Sequence, residues 1–390
     1  MKTGKKCITF CIILVMGVVL VIHPDPIVTE LMPSTSNPAL FQLSSIVVES
    51  NDDLAQYSTS GTGTKNDPYI LRDIEVISPY LCVDIHDTDA FFIVRRCKLI
   101  CTDALTPVVL LNQVENGTFD NCTVRGGNKA IEIHNSTNIR IINSRIYDSP
   151  RGIYLEDSER CLIQECKIFS NAIGLLLRNS DGSDINSNSV YSNSFIGLYI
   201  DENSNNNTVY LNKFGWNEEN AVADGSSNQF FDSSRHGNVW SNYNDSEKYR
   251  IIGNGNFTDP YADILVDSAD PIIESLDDIA VDDQESNYTI RWASSDEFPV
   301  LYSIIVNDDV LLKDCWDGGD IEYTISQLPL GAHVIEVILS DGFENTARDQ
   351  IHVSVVWILM DDLGTPQLVL GAFLTVTLFF VCIVLIKKRS

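Results

Sequence analysis

The sequence predicts an all-β protein in which a right-handed parallel β-helix of about seven or eight coils precedes an immunoglobulin-like β-sandwich. The first observation behind this prediction is a repeat: apolar segments at residues 130–133, 152–155, 174–177 and 197–200 start 22, 22 and 23 residues apart. The second is that this period stops near residue 270, where apolar stretches of strand length alternate with Asn, Asp and Gly turns. We therefore assign residues 46–268 to the β-helix and residues 269–357 to the sandwich.

Each repeat contains apolar residues at every second position, separated by Asn, Ser, Asp and Gly, as is typical of short strands with one inward face. Ile153 is thus expected to point inward between Ile131 and Leu175 of the neighbouring coils, and Tyr154 to point outward into solvent. Ordering one backbone residue costs about 1–2 kcal/mol, and a buried aliphatic side chain contributes about 1.5–3 kcal/mol, so a single coil is unstable alone. Stacking is required, and weaker repeats at residues 81–124 and 222–239 extend the array.

Stacking also aligns small and polar residues into columns. One predicted column contains Cys97, Cys122, Ser144, Cys166, Asn188 and Asn212, and a second contains Asn171, Asn193 and Asn217. The Asn amides are expected to hydrogen-bond from coil to coil and to adopt the left-handed conformation at the corners. For Cys97 and Cys122 we expect small residues that fill a tight corner, with a disulfide or a metal-binding pair as the alternatives.

The two ends of the chain predict a membrane protein. Residues 1–26 contain three lysines followed by an apolar run at 7–22, which indicates a signal peptide or an uncleaved anchor, and residues 27–45 are a linker. After a second linker at 358–367, residues 368–386 are apolar and long enough for a transmembrane helix. The basic tail at 387–390 places this end in the cytoplasm and the β-helix outside, so we expect a single-pass protein of the cell membrane.

Composition restricts the partners of the chain. The 26 basic and 54 acidic side chains give a net charge of −28, which excludes nucleic acid as a partner. An outside location makes seven Asn-x-Ser/Thr triplets candidates for N-glycosylation, at Asn116, Asn121, Asn135, Asn206, Asn244, Asn256 and Asn287. Cys315 is the single cysteine of the sandwich, so the inter-sheet disulfide of antibody domains cannot form. The stretches at 328–333 and 340–345 resemble the last two strands of surface Ig-like modules of bacteria and archaea, and this resemblance implies that the module serves as a stalk.

Three stretches carry a resemblance to a known family. The run GTGTKNDPYI at residues 61–70, together with GNVWSNY at 237–243 and GNGNFTDPY at 253–261, resembles the opening and closing segments of NosD-type right-handed β-helix proteins. These proteins are grouped with carbohydrate-binding and sugar-hydrolase β-helices, and the founding members are periplasmic proteins that serve a copper enzyme. With its terminal anchor, the whole chain resembles surface proteins of archaea.

The departures from that family argue against a metal. Its closing loop is often rich in Asp at a calcium-binding spacing, but Asn254 and Asn256 stand here where acids are expected. The four methionines lie outside the coils, and His86, His134 and His236 are scattered without a paired spacing, so a copper site is not expected. We predict no metal and no cofactor.

Two outward columns carry the candidate functional residues. Aligning the coils gives Glu132, Tyr154, Leu176 and Tyr199 in one column, and His134, Glu156, Arg178 and Asp201 in the next. The candidate ligand-binding residues are Glu132, Tyr154, Glu156, Arg178, Tyr199 and Asp201, in which the tyrosines would stack on sugar rings and the charged groups would hydrogen-bond. We expect a surface protein that binds a glycan or a surface partner. The alternatives are a glycoside hydrolase or lyase that acts from a groove, a structural or adhesion element, and a merely solvated flank. No catalytic residue is assigned, and the oligomeric state stays open.

Overall fold

The structure is a computed structural model that describes residues 41–245, 247–282, 288–325, 328–360 and 366–369. The predicted signal or anchor, Asn287, the cytoplasmic tail and all but the start of the predicted transmembrane helix lie outside these residues. The first two residues of that helix, Leu368 and Val369, instead belong to the strand Pro366–Val369, where Leu368 pairs with Ile358. Among the described residues, no helix has both the length and the apolar character needed to cross a membrane.

Three parallel sheets form the faces of a right-handed β-helix of about eight turns, which confirms the predicted β-helix. Sheet A has ten strands: Phe41–Leu43, Ile74–Ser78, Lys98–Cys101, Thr123–Gly126, Arg145–Tyr147, Lys167–Phe169, Ser189–Tyr191, Lys213–Gly215, Val239–Trp240 and Asp263–Ile264. Sheet B has eight: Ile46–Val48, Val83–Thr88, Val109–Val114, Ile131–His134, Arg151–Glu156, Ile173–Arg178, Ile196–Ile200 and Glu219–Ala223. Sheet C has seven: Tyr69–Arg72, Phe92–Arg95, Gly117–Asp120, Arg140–Ile142, Leu162–Gln164, Asp184–Asn186 and Thr208–Tyr210.

The inward register is the one that the sequence predicts. Ile131 pairs with Ile153, Ile153 with Leu175 and Leu175 with Leu198, and all four side chains are fully buried. Each coil therefore presents one aliphatic side chain to the same position of the next coil, and the apolar rows merge into a single core along the axis.

Both predicted ladders are present. The backbone nitrogen and side-chain amide of Asn171 donate to Oδ1 of Asn193 at 3.1 and 3.0 Å, and Asn193 donates in the same way to Asn217. In the other column the backbone nitrogen of Cys122 donates to Oγ of Ser144, and Asn188 donates to Asn212. Cys97 and Cys122 are free thiols.

The prediction that the ladder asparagines themselves are left-handed was wrong. The positive φ angle falls on the residue before each of them, at Ser170, Ser192 and Trp216, with values of 52°, 51° and 53°. The left-handed residue turns the chain at the corner, and the next side chain then points inward, where its amide can reach the neighbouring coil. The corner therefore tolerates residues other than Asn.

One helix, Asn51–Tyr57, was not predicted. It follows the second strand of the described chain, and its Leu54 is fully buried in the β-helix core. Ser50 caps the helix, because its Oγ accepts a hydrogen bond from the backbone nitrogen of Asp53. A short hairpin, Tyr249–Arg250 with Thr258–Asp259, precedes the last strand of the β-helix.

The residues after the β-helix form a sandwich of antiparallel and mixed sheets. Its main sheet, sheet D, contains Ile279–Asp282, Pro299–Val306, Asp309–Cys315, Gly331–Asp341, Thr346–Met360 and Pro366–Val369. Two small sheets pair Tyr288–Trp292 with Ile321–Ile325, and Ile272–Ile273 with Ser294–Ser295. Trp292 and Trp316 are buried between the sheets, together with Ile335 and Ile351.

The sandwich packs against the outer side of sheet A, a contact that the sequence analysis did not predict. Tyr147, Phe169 and Tyr191 stack along sheet A with ring centroids 4.9 and 5.2 Å apart, and Phe298 of the sandwich meets Tyr191 edge-on at 5.3 Å. The Tyr191 hydroxyl donates to the carbonyl of Pro299 at 2.9 Å. This aromatic cluster is a second apolar core, outside the β-helix.

Charge complementarity surrounds the aromatic cluster. The guanidinium of Arg125 makes two hydrogen bonds to Asp314, at 2.9 and 3.1 Å, and Lys213 pairs with Glu297. Sheet A thus presents cations to acidic residues of the sandwich, and within the described residues the sandwich covers neither sheet B nor sheet C.

Candidate ligand-binding groove

A groove on the outer face of sheet B brings together all six predicted ligand-binding residues. Its lining consists of Lys129, Glu132, Arg151, Tyr154, Glu156, Ile173, Leu176, Arg178, Tyr199, Asp201 and Glu202. The strand register explains this, since Glu132 pairs with Tyr154, Tyr154 with Leu176 and Leu176 with Tyr199. Glu156 and Arg178 occupy the neighbouring outward row.

The groove is longer along the β-helix axis than across it. Its lining comes from four successive strands of sheet B, and strands lie about 4.8 Å apart, so it extends for about 14 Å. Its two outward rows are separated by two residues of a strand, about 7 Å. The volume of the groove is about 500 Å³.

Ion pairs hold the two glutamates in place. Nζ of Lys129 lies 3.0 Å from Oε2 of Glu132, and an Arg178 guanidinium nitrogen lies 3.3 Å from Oε1 of Glu156. Nδ1 of His134 is 3.6 Å from the other oxygen of Glu156. The Glu132 and Glu156 side chains keep 16% and 25% of their surface exposed, so a ligand in the groove can still reach them.

Tyr154 differs from its prediction. The side chain points out of the core as expected, but only 6% of the residue is exposed, because Nζ of Lys129 lies over the ring, 5.3 Å from its centroid. Burial raises the pKa of Tyr154, and a hydrogen bond with Arg178 lowers it in part. The ring therefore supports the wall of the groove and offers little surface for stacking.

Tyr199 is the more accessible of the two tyrosines, and a hydrogen bond to Asp224 fixes its hydroxyl group. Its hydroxyl donates to Oδ2 of Asp224 at 3.2 Å, and its pKa is raised by burial and then by that hydrogen bond. Oδ1 of Asp224 accepts from both nitrogens of Asn254, at 2.8 and 2.9 Å. Next to Asn254, Gly253 has a φ of 119°, and a Cβ there would lie 2.3 Å from the carbonyl oxygen of Ala223. The closing loop is thus fixed against the last coil, and Asn254 acts as a hydrogen-bond donor to Asp224.

Asp201 stabilises a corner of the β-helix and is poorly placed to contact a ligand. It is 8% exposed, and its Oδ1 accepts hydrogen bonds from the backbone nitrogens of Asn179 and Asn203 and from Oγ of Ser204. These bonds join two successive coils at the edge of the groove. Of the six predicted residues, Asp201 has the clearest structural role.

The sequence analysis missed five lining residues: Lys129, Arg151, Ile173, Leu176 and Glu202. Leu176 was placed in the outward column but not in the site. Lys129 and Arg151 occupy the same position of successive repeats, immediately before the segments 130–133 and 152–155. The repeat of a cation at one position, in a chain that is otherwise acidic, was the signal that could have placed Lys129 and Arg151 in the site.

The glycosylation candidates that the structure describes fall into two groups, exposed and half-buried. Asn121, Asn135, Asn206, Asn244 and Asn256 are exposed, whereas Asn287 lies outside the described residues. Asn116 is half-buried, its amide nitrogen donates to the carbonyl of Asp89 at 3.0 Å, and its Oδ1 accepts from Asn138 at 2.6 Å. Use of these sites stays a prediction.

Two clusters of acidic and thiol groups lie at the contact with the sandwich. In the cluster of Asp148, Asp314 and Cys315, the guanidinium of Arg125 binds both carboxylates. The other cluster is Asp267, Asp296 and Asp341. The pKa of Asp296 is raised to about 6, first by burial and then by the charges of Asp341 and Asp267.

The fold and the repeats define a parallel β-helix protein. Residues 82–245 match the family model described as "Periplasmic copper-binding protein (NosD)", which confirms the resemblance over those coils. None of the curated proteins matches the chain.

Three solved structures show the range of structural likeness. Alginate lyase from Paenibacillus sp. str. FPU-7 is 12% identical, with a TM-score of 0.40, over 50% of this chain and 76% of that chain. DFA-IIIase from Arthrobacter chlorophenolicus A6 in complex with GF2 is 13% identical, with a TM-score of 0.33, over 47% of this chain and 54% of that chain. The fibronectin(III)-like modules of Clostridium thermocellum CbhA are 16% identical, with a TM-score of 0.17, over 22% of this chain and 94% of that chain.

Proposed function

We propose that the groove on sheet B binds a linear oligosaccharide whose chain lies along the β-helix axis. The observation that carries this proposal is the shape and lining of the groove: about 14 Å long and about 7 Å wide, with polar groups on both rows. A chain of about three sugar units suits that length, and a branched or globular ligand does not suit the width.

The chemistry of the lining supports a ligand rich in hydroxyl groups. Glu132 and Glu156 provide acceptors, and Lys129 and Arg178 provide donors, all held by the ion pairs between them. Leu176, which lies between Tyr154 and Tyr199 in the same row, adds an apolar patch for the C–H face of a sugar ring.

The charge of the groove supports a ligand without strong net charge. Three cations and four anions line it, whereas the whole chain has 26 and 54. The groove is therefore close to neutral on an acidic protein. Such a balance favours hydrogen bonding to neutral hydroxyl groups over the capture of an ion.

Isothermal titration calorimetry tests the proposal with linear β-1,4-linked oligosaccharides of glucose, mannose and xylose, each two to six units long. At least one series should bind, with the largest gain in affinity between two and three units. Tyr199→Ala should weaken binding about tenfold. Tyr210 provides the matched control, because it is an outward tyrosine of sheet C, and Tyr210→Ala should leave binding unchanged. Failure of all three series to bind, or equal losses for the two variants, would refute the proposal.

A second candidate function is cleavage of the bound chain. The observation that favours it is that Glu132 and Glu156 face the same groove from adjacent rows and adjacent strands. A general acid and a second carboxylate are the groups that glycoside hydrolysis requires. Incubation of the bound oligosaccharide followed by a reducing-end assay decides between the two functions: product formation that is lost in Glu156→Gln supports an enzyme, and no product supports a binding protein.

We also propose that the protein is anchored in the cell membrane, with the β-helix outside and the sandwich as an immunoglobulin-like module near the membrane. The apolar residues 368–386 and the basic residues that follow support this orientation. Protease added to intact cells should remove an epitope inserted in the exposed segment 233–236 and spare a tag placed after Ser390. Protection of the first epitope would contradict the orientation.

A further inference from the structure

We propose that the groove continues toward the N-terminal end of the β-helix through a second subsite, formed by Asn112 and His134, which takes two further hydroxyl groups of the same oligosaccharide. This inference rests on the proposed function. It adds one strand spacing, about 4.8 Å, so the ligand grows from about three sugar units to about four, and a five-unit chain covers the groove and the subsite together. It also names two residues outside the predicted binding set.

The first argument is continuity. His134 pairs with Glu156 in the strand register, Asn112 pairs with His134, and His86 pairs with Asn112. The outward row that holds Glu156 and Arg178 in the groove therefore runs on without interruption over the strands Ile131–His134 and Val109–Val114. A chain lying along the axis would reach these side chains next.

The second argument is the hydrogen bonding of the two side chains. Oδ1 of Asn112 and Nδ1 of His134 are buried atoms that have no hydrogen-bond partner in the described part of the chain. Nδ1 of His134 lies 3.6 Å from Glu156 Oε2, beyond hydrogen-bonding distance, and the other amide atom of Asn112 lies 3.5 Å from Nδ1 of His86. Buried polar atoms without partners cost free energy, and two of them here are direct neighbours in one row.

The chemistry of these two atoms suits a sugar. A carbonyl oxygen accepts, and an imidazole nitrogen donates or accepts according to the tautomer, so one hydroxyl can donate to Asn112 while another bonds to His134. The two side chains lie on adjacent strands, about 4.8 Å apart, which suits two hydroxyl groups of one ring. The His134 side chain keeps 34% of its surface exposed, so a small rotation of the ring would present Nδ1 to the ligand.

Among the residues that the structure describes, the other end of the groove offers no such extension. Beyond Tyr199, the carboxylate of Asp224 is occupied by the Tyr199 hydroxyl and by Asn254. The closing loop covers the next layer, since Ile252 forms a bridge with Val222. Growth of the ligand is therefore one-sided, toward Asn112.

Calorimetry with the full-length chain tests this subsite, using fragments of three and five units from the series that binds. The wild type should bind five units at least tenfold more tightly than three. Asn112→Leu should remove that gain and keep the three-unit affinity within twofold, which also shows that the groove is folded. His134→Phe should remove the gain as well. Gln164→Leu is the matched control, because Gln164 is an outward amide of sheet C, and it should preserve the gain.

A second readout follows the imidazole directly. The ring nitrogen resonances of His134 should shift on addition of the five-unit fragment and stay in place with the three-unit fragment. Equal affinities for three and five units in the wild type, or a gain that survives both variants, would overturn the subsite alone. If no fragment binds at all, the proposed function is overturned, and the subsite with it.

Discussion

The carboxylate of Asp259 accepts hydrogen bonds from both the backbone nitrogen and the side-chain amide of Asn238, at 2.7 and 3.1 Å. Asn238 in turn accepts from Asn212, and Asn212 from Asn188, so Asp259 ends a line of amides that runs along one corner of the β-helix. Oδ2 of Asp259, which accepts both bonds from Asn238, also accepts from the Trp240 indole at 3.1 Å. An ionised carboxylate only accepts hydrogen bonds, so Asp259 can end the line of amides without leaving a donor of its own unpaired.

Replacing this last acceptor should destabilise the C-terminal coils. In Asp259→Asn, one side-chain oxygen becomes an amide donor that faces existing donors, because Oδ1 and Oδ2 of Asp259 together accept from Asn238, Trp240 and Tyr261. We expect the free energy of unfolding to fall by about 1–3 kcal/mol in urea denaturation. Asp270→Asn, at an exposed position, should change it by less than about 0.5 kcal/mol. Equal stability of the two variants would show that the Asp259 carboxylate is dispensable.

Asn193, in the middle of the other ladder, should contribute at least as much to the free energy of unfolding. Asn193 is fully buried, accepts two hydrogen bonds from Asn171 and donates to Asn217. Asn193→Ala leaves these partners unpaired, so we expect a loss of about 2–4 kcal/mol in the free energy of unfolding. Asn203→Ala removes an exposed side chain of the same type and should be nearly neutral in the same denaturation measurement. A loss below about 1 kcal/mol for Asn193→Ala would contradict the structural role of the ladder.

The contact between the sandwich and sheet A should depend on Phe298. This residue is 1% exposed and packs against Tyr191 and Phe343 with centroids 5.3 and 5.1 Å away. Phe298→Ala should cost about 3–5 kcal/mol and split a single calorimetric transition into two, because the sandwich would lose its main apolar contact. Phe195→Ala, at a residue that is 53% exposed, is the control and should keep one transition. An unchanged single transition in Phe298→Ala would mean that the contact contributes little.

The acidic cluster at that contact predicts a dependence on pH. The pKa of Asp296 is raised from 3.8 to about 6, first by burial and then by Asp341 and Asp267, so the folded protein binds this proton more tightly than the unfolded chain does. The resulting stability is fully present below about pH 4 and is lost as the pH rises through 6. Asp296→Asn, which resembles the protonated acid, should match the wild type at pH 4 and raise the melting temperature by about 2–4 °C at pH 7.5. A variant that melts at the same temperature as the wild type at both pH values would contradict the raised pKa.

The repeat could be predicted because its signal is local. The inward residues Ile131, Ile153 and Leu175 recur at one spacing, and a strand with a period of two residues has only one way to bury them. The same register placed Glu132 and Tyr199 on the outer face, where the groove lies. The burial of Tyr154 could not be predicted, since its cover is Lys129, which comes from the preceding coil.

The contact of the sandwich could not be predicted because it joins residues that are far apart in the chain. The hydrogen bond between Tyr191 and Pro299 spans 108 positions, and no period connects them. A signal was nevertheless present, since Tyr147, Phe169 and Tyr191 form an outward aromatic row that would be costly to leave in water. The helix Asn51–Tyr57 had a local signal as well, in the pairing of Ser50 with Asp53 at its start.

Hydrogen–deuterium exchange with and without a bound five-unit oligosaccharide tests the central claim most directly, because it locates the ligand on the surface. The account predicts slower amide exchange along sheet B, from the strand Val109–Val114 to the strand Ile196–Ile200, with sheet C unchanged. Protection confined to sheet C or to the sandwich would contradict it, because the ligand would then lie on a face that the groove does not share.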